Sequence, residues 1–263
     1  MFAAIRKWFA DKSDWQLNHP TEPEEVCKVL QEFGVTRFAF CSYAHKPGIA
    51  EALNAWVVDT AEKIKWYGLP LATVHPADKE CVEYVVEAFE KGCVGLKIHE
   101  DVQQFEVNDS RLKEIYRVVA EFDGFVLAHI GPIPWDYTPK RAPDRVAQIL
   151  GENPGVKFVV AHFGAPNTLE YLKLMAEHEN LFMDTTMAFA LHPKLKDEID
   201  PQLLEKHSER ILFGSDFPNI PYEYDHERKM LERLTLSEKA KKDIFHDNAA
   251  KLLRLDIKAM PEF

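Results

Sequence analysis

Residues 94–129 read VGLKIHEDVQQFEVNDSRLKEIYRVVAEFDGFVLAH and contain one complete β-α-β unit. The runs Val94–Ile98 and Gly124–Ala128 are short and apolar, as buried strands are. Between them, residues 109–122 space their apolar side chains as an amphipathic helix does. Two strands joined by such a helix pair in parallel through a right-handed crossover. This stretch therefore predicts an α/β protein with a parallel sheet.

The same alternation of strand and helix runs through the whole chain. The first helix follows Thr21-Glu22-Pro23-Glu24, which we interpret as a capping box with proline at the first helical position, and it ends at Gly34. The predicted strands are Val35–Ser42, Leu69–Val74, Val94–Ile98, Gly124–Ala128, Val156–Ala161, Leu181–Thr185 and Arg210–Gly214. Further helices are predicted at 48–65, 78–91, 109–122, 143–150, 167–178, 201–207, 223–233 and 237–253. Because no linker or low-complexity segment interrupts the pattern, residues 1–263 are predicted to form a single domain.

This alternation leaves two architectures open, an open doubly wound sheet and a closed barrel. A dinucleotide-binding doubly wound fold requires GxGxxG after an early strand, and the chain contains no such run. A (β/α)8 TIM barrel fits a length of about 250 residues, but it needs eight strands. No strand pattern precedes residue 20, so we predict a TIM barrel that lacks its first strand.

The missing strand leaves Val35–Ser42 and Arg210–Gly214 on either side of a gap in the predicted barrel. If water filled this gap, apolar side chains and unpaired backbone groups of both strands would be exposed to solvent, which is unfavourable. We expect the two strands to approach each other directly, or the N-terminal segment Phe2–Phe9 to cover the gap with apolar side chains at helical spacing. We also expect a chain of this kind to form homo-oligomers.

The amino-acid composition argues against some classes of binding partner. The formal net charge of −11 repels phosphate backbones, which argues against nucleic acid, and no apolar run approaches the ~20 residues of a membrane helix. The opening residues MFAAIRKWFADK resemble an amphipathic helix and lack the cleavage site of a signal peptide. Four cysteines without a CxxC pair predict a reduced, cytoplasmic protein.

Polar residues follow the apolar strands at the point where each strand stops. Strands run into His75, His99, His129 and His162, and the last predicted strand runs through Ser215 into Asp216. A single histidine at a strand end is more often a hydrogen-bonded core or loop residue than a ligand. Since all strands of a barrel open at one mouth, the joint pattern favours a metal or catalytic centre.

Several short motifs resemble the amidohydrolase superfamily, most closely the branch of aminocarboxymuconate semialdehyde decarboxylase, related aromatic-acid decarboxylases and lactone hydrolases. The similarity covers roughly residues 20–255. The motifs are GLKIH (95–99), LAHIG (127–131), VAHFG (160–164), MDTT (183–186), ILFGSDFP (211–218) and HDNAAKLLRL (246–255). The expected fold is thus a TIM barrel of the metal-dependent hydrolase type.

This resemblance implies roles for individual residues. It implies that His129 is a metal ligand and that His162 is a second ligand or an acid/base residue. It further implies that Asp216 contacts the metal and transfers a proton. Lys97 occupies the place of a carbamylated, metal-bridging lysine in some members, and we expect Lys97 and His99 to bind substrate. One divalent metal, zinc in this prediction, would acidify bound water.

One departure from the family concerns the His-x-His motif that ends its first strand and supplies two ligands. No His-x-His occurs in this sequence, so either an upstream segment supplies the strand or the strand has been lost. We predict a hydrolase acting on an ester, lactone or amide of a small organic acid. The alternatives are a non-oxidative decarboxylase of an aromatic or unsaturated acid, and an inactive binding protein. Substrate specificity is expected in the loops Ile133–Arg141 and Asn219–His226.

Overall fold

The structure is a computed structural model that describes residues 6–7, 10–11, 15–130, 142–191 and 200–256. The loop Ile133–Arg141 and the apolar residues of the segment 2–9 lie outside these ranges. Within them, all paired strands are parallel and follow one another in sequence order across a seven-stranded sheet that curls into a half-barrel. The strands are β1 Phe38–Phe40, β2 Gly68–Thr73, β3 Gly95–His99, β4 Phe125–His129, β5 Lys157–Val160, β6 Leu181–Asp184 and β7 Ile211–Leu212.

Helices connect successive strands, as right-handed crossovers require. Their bounds are α1 Pro23–Glu32, α2 Ala50–Lys63, α3 Cys81–Glu90, α4 Glu100–Gln103, α5 Lys113–Glu121, α6 Ala142–Glu152, α7 Thr168–Glu177, α8 Ala188–Leu191, α9 Pro201–His207, α10 His226–Glu232, α11 Glu238–Lys242 and α12 Asn248–Leu252. A π-helical turn, Asp243–Asp247, joins α11 to α12. The predicted parallel α/β architecture is therefore confirmed, and each predicted strand overlaps an observed one.

The start of α1 corrects the predicted capping box. Pro23 is the first helical residue, so the capping position falls on Glu22, and no side chain caps the helix there. The Glu22 carbonyl instead accepts the backbone N–H groups of Glu25 and Val26. Proline fixes its own φ in the helical range and thereby sets the first turn, which leaves Thr21 one residue too early to cap it.

The strands divide their side chains between two faces. Outward residues such as Leu96, Val126 and Met183 belong to the large core beneath the helices. Alternate residues on the other face form a second cluster with the end of the chain: Leu71, Phe125, Val159, Leu212, Leu252 and Leu253. Because side chains alternate along a strand, Lys97, His99, His129 and Asp184 share this inner face at the upper ends of their strands.

The side of the sheet between β1 and β7 is bridged by side chains. In the described part of the chain no ladder joins these two strands. The Tyr224 ring instead packs 5.1 Å from Phe33 and 5.3 Å from Phe217, between ring centroids. His19 lies 4.8 Å from Phe217, and its Nε2 is 2.7 Å from the Tyr222 carbonyl oxygen. Residues that follow β7 therefore pack against residues that precede β1. Coverage by Phe2–Phe9 stays a prediction.

No helix in the described ranges is long and apolar enough to cross a bilayer.

Candidate active site

Two stacked imidazoles lie at the centre of the barrel mouth. His99 and His129 are neighbours in the β3–β4 register, and their rings stack with centroids 3.9 Å apart at an interplanar angle of 11°. Both residues are buried. Tyr43 meets the His99 ring edge-on, with a centroid distance of 5.2 Å. Two of the strand-end histidines therefore meet on the inner face, whereas the His75 ring lies edge-on to Phe105.

His162 lies beside this stack and has a defined tautomer. Its ring centroid is 4.5 Å from that of His129, at an interplanar angle of 70°. Its Nδ1 is 3.0 Å from the Thr186 carbonyl oxygen. A carbonyl oxygen can only accept, so Nδ1 carries the proton in the neutral ring and Nε2 holds the lone pair. This tautomer suits a metal ligand or a proton acceptor.

Asp184, at the end of β6, holds the backbone around His162. Its Oδ1 accepts the His162 N–H at 3.0 Å and the Thr186 N–H at 2.9 Å. One carboxylate oxygen therefore fixes the backbone of His162 and also that of Thr186, whose carbonyl accepts the hydrogen bond from the His162 imidazole. An acidic residue at a strand end is the only sequence signal for this role, and that signal does not indicate a contact with the backbone of His162.

Lys97 places a cation inside the half-barrel. The residue is 7% exposed, and no hydrogen bond or ion pair of its ammonium is found within the described ranges. Burial raises the pKa of the half-buried Cys41 thiol, while the nearby Lys97 lowers it and Asp216 and Asp184 raise it. One cation and two carboxylates therefore lie around Cys41, at the end of β1.

Asp216 lies beyond the end of β7 on the same side of the sheet. Its backbone is left-handed, with φ 60°. Burial raises the pKa of Tyr43, and the negative charge of Asp216 raises it further, so Asp216 lies close enough to Tyr43 for the two groups to interact electrostatically. The predicted metal-bridging separation of Asp216 from His129 stays a prediction.

The donor set fits a metal ion only in part. Among the described residues, no group of three or more His, Cys, Asp or Glu side chains is arranged to hold one. The lone pair of an imidazole lies in the ring plane, so the nearly parallel rings of His99 and His129 cannot both point at one ion. His129 and His162, which are steeply inclined to each other, can supply two positions. For Asp216, the third predicted ligand, the position beside these two imidazoles stays a prediction.

Glu227, at the start of α10, joins the segments that follow β6 and β7. The residue is fully buried, and its carboxylate accepts the N–H of Phe189 at 3.0 Å and that of Ala190 at 2.8 Å. Burial raises the pKa of Glu227 to about 7, although the two backbone hydrogen bonds oppose that shift. An acidic residue on a helix gives no sequence signal for such burial.

A family model described as amidohydrolase matches residues 8–255. The chain belongs to the amidohydrolase family. Members of this family are hydrolases or decarboxylases, so the predicted enzyme class is confirmed at that level. A comparison with curated proteins found no match.

Solved structures share the fold of this amidohydrolase. An uncharacterised TIM-barrel protein from Bordetella bronchiseptica has a TM-score of 0.75 and 21% identity, over 96% of this chain and 91% of that one. A probable 2-pyrone-4,6-dicarboxylic acid hydrolase from Acinetobacter baumannii, with citric acid bound, has a TM-score of 0.65 and 14% identity, over 89% of each chain. At these identities the likeness shows the fold, and the TIM-barrel prediction is confirmed.

A third similar structure contains a metal. It is a 5-carboxyvanillate decarboxylase from Novosphingobium aromaticivorans, complexed with manganese and 4-hydroxy-3-methoxy-5-nitrobenzoic acid. Its TM-score is 0.58 and its identity 18%, over 79% of this chain and 70% of that one. Relatives of this amidohydrolase therefore include a divalent-metal protein and proteins that bind small organic acids.

Proposed function

We propose that this amidohydrolase hydrolyses an ester, lactone or amide of a small organic acid. The observation that carries the proposal is Lys97, a buried cation on the inner face that makes no ion pair within the described ranges, although Asp184 and Asp216 lie in the same region. A buried ammonium is costly unless an anion pairs with it. A substrate carboxylate is an anion of suitable size, and it would place the rest of the substrate toward His99, our second proposed substrate-binding residue.

The catalytic groups in this proposal are Asp216 and His162. Asp216 accepts a proton from water as the water attacks the substrate carbonyl. His162, once protonated at Nε2, donates that proton to the departing oxygen or nitrogen, and its Nδ1–H stays bound to the Thr186 carbonyl. The proton taken up by Asp216 then passes to Nε2 of His162, so the cycle ends as it began, with Asp216 ionised and His162 protonated.

A divalent metal completes the proposal. Zinc would be held by His129 and Asp216, because the Nε2 of His162 cannot carry the transferred proton and bind the metal at the same time; when bound, zinc supplies Lewis-acid polarisation and lowers the pKa of water. A testable consequence is that purified protein binds one zinc or manganese ion per chain. His129→Ala should reduce this stoichiometry, whereas His178→Ala, at the end of α7, should not. Substoichiometric metal under saturating conditions would instead favour the inactive binding protein.

Non-oxidative decarboxylation is the second candidate, because solved relatives include a decarboxylase. Lys97 separates the two reactions on physical grounds. An ammonium paired with the carboxylate to be lost stabilises the ground state and opposes departure of neutral CO₂. Hydrolysis keeps the bound carboxylate, so the same ion pair serves both ground state and transition state.

The experiment offers the chain two organic acids, with zinc or manganese present. One is 2-pyrone-4,6-dicarboxylic acid, whose ring opening is followed by absorbance. The other is 5-carboxyvanillate, whose reaction releases CO₂. We expect lactone opening that is lost with the uncharged dimethyl ester. Lys97→Met should raise KM for the diacid at least tenfold, whereas Lys113→Met, an exposed lysine on α5, should not. Release of CO₂ without ring opening would reject the hydrolase assignment.

A further inference from the structure

The geometry points to Gln103 as the positioning residue that holds the first three strand ends of the barrel mouth together. Gln103 is the last residue of the short helix α4 and is 1% exposed. Its Nε2 donates to the carbonyl of Val74 at 2.7 Å and to that of Ala44 at 3.1 Å. Its Oε1 accepts the backbone N–H of His99 at 2.8 Å. One side chain thus binds backbone from beyond β1, from beyond β2 and from the end of β3.

The orientation of this amide is fixed by its partners. Two carbonyl oxygens need donors and one N–H needs an acceptor, and only one of the two amide orientations meets all three needs. The amide nitrogen of Gln103 therefore donates two hydrogen bonds, and the amide oxygen accepts one. A buried side chain with three satisfied bonds is a rigid connection, because breaking any one leaves a buried polar group unpaired.

The segment after β1 depends on this connection because its own ladder is short. β1 pairs with β2 over three residues, from Phe38 to Phe40. Beyond that point the backbone of Ala44 is held by side chains on both sides. Its N–H donates to Thr73 Oγ1 at 2.9 Å, and its carbonyl accepts from Gln103. Thr73 is itself held by Asn54, which accepts its N–H and donates to its carbonyl.

Gln103 therefore acts on the imidazole stack from two directions. It fixes the backbone of His99, whose ring stacks on His129. It also fixes the backbone of Ala44, which follows Tyr43 in the chain, and the Tyr43 ring meets His99 edge-on. A change at Gln103 should shift the rings of His99 and His129 relative to each other, although Gln103 touches neither ring in the contacts described above.

The test compares Gln103→Glu with Gln104→Glu by NMR of the histidine side chains. Both substitutions make the same chemical change in adjacent residues, but Gln104 is exposed. An ionised carboxylate at position 103 would face two carbonyl oxygens, so we expect the His99 and His129 signals of Gln103→Glu to move at mildly alkaline pH. They should return toward wild-type positions as the introduced carboxyl is protonated and regains a donor. Gln104→Glu should leave both signals in place, and His178 should be unaffected in either variant.

Gln103→Met provides a second variant in case the buried carboxylate prevents folding. It removes all three hydrogen bonds without adding charge, so it should move the same two signals at every pH. If either variant lowers the melting temperature while His99 and His129 keep their wild-type signals, Gln103 has only a structural role and the inference is wrong. The readout needs no substrate, so failure of the proposed hydrolysis would leave its outcome unchanged.

Discussion

Gly214, two residues beyond the end of β7, should not tolerate a methyl group, and the consequence should reach His162. A Cβ at this position would overlap Thr186 Oγ1 and would lie 3.3 Å from the Asp184 carboxyl carbon. The overlap with Thr186 is far inside ordinary van der Waals contact. Thr186 is buried and β-branched, so its side chain has few rotamers to move into and the backbone has to shift instead. The Thr186 backbone includes the carbonyl that accepts the hydrogen bond from His162 Nδ1.

The expected cost of Gly214→Ala follows from overpacking in a filled interior, which amounts to about 1–3 kcal/mol. In a domain of this size each kcal/mol lowers the melting temperature by about 2–4 °C, so we expect a loss of about 2–12 °C. Any hydrolase activity should fall by more than the unfolded fraction explains, because the hydrogen bond that sets the His162 tautomer is displaced together with Asp184.

Gly151→Ala is the matched control. Gly151 lies within α6, and a Cβ there would meet nothing within 4 Å. Alanine is preferred to glycine within a helix by about 0.5–1 kcal/mol, so this variant should melt slightly above wild type. Melting curves followed by circular dichroism compare the two substitutions directly. If Gly214→Ala melts at or above wild type, the crowding around Thr186 and Asp184 is not as described.

Two further substitutions probe buried charges. The pKa of Glu227 is raised from 4.5 to about 7 by burial, so its contribution to stability is complete below pH 4.5 and is lost as the pH rises through about 7. Glu227→Gln should remove up to about 3 kcal/mol of this pH dependence. The control is Glu232→Gln, which replaces an exposed carboxylate of α10 and should leave the pH dependence unchanged. Parallel profiles of unfolding free energy against pH for wild type and Glu227→Gln would contradict this prediction. Arg145 pairs with Glu100 at 2.8 Å, and Arg145→Met should cost about 3–5 kcal/mol because the buried carboxylate loses its cation and keeps the hydrogen bond from the Val107 N–H. Adding Glu100→Gln should recover part of this loss in denaturant unfolding, and a fully additive double variant would show that the two groups do not interact.

Most of the fold could be predicted because its signals are local. Alternating apolar runs and amphipathic stretches fixed the order and type of the elements, and the absence of GxGxxG removed the dinucleotide-binding alternative. The main error, at Thr21, came from a local rule as well. The capping-box pattern was present, but proline at the next helical position set the start of α1. The ends of the strands were predicted less accurately. Only three residues of the predicted strand Val35–Ser42 pair with β2, and beyond them side chains form the hydrogen bonds that hold the backbone.

The candidate site could be predicted only where its residues stop strands. His99 and His129 end β3 and β4, and their meeting follows from parallel pairing in register. Asp184 also ends a strand, but nothing in the sequence indicates that its oxygen turns back to the backbone of His162. Gln103 is harder still, because its partners come from three separate segments of the chain. Such roles depend on three-dimensional closure of the loops, which no periodicity records.

These missed residues share a physical reason for being where they are. The described sheet has two edges, so the segments beyond its strands are not braced by a closed ring of backbone ladders. Gln103 joins the segments beyond β1 and β2 to the end of β3, Asp184 joins those after β5 and β6, and Glu227 joins those after β6 and β7. Each is a buried polar side chain that accepts or donates two or more backbone hydrogen bonds, and each such bond contributes about 1 kcal/mol or more. A half-barrel that must hold imidazoles in fixed geometry needs this bracing at its mouth, since helix packing below leaves the loop backbones unsatisfied.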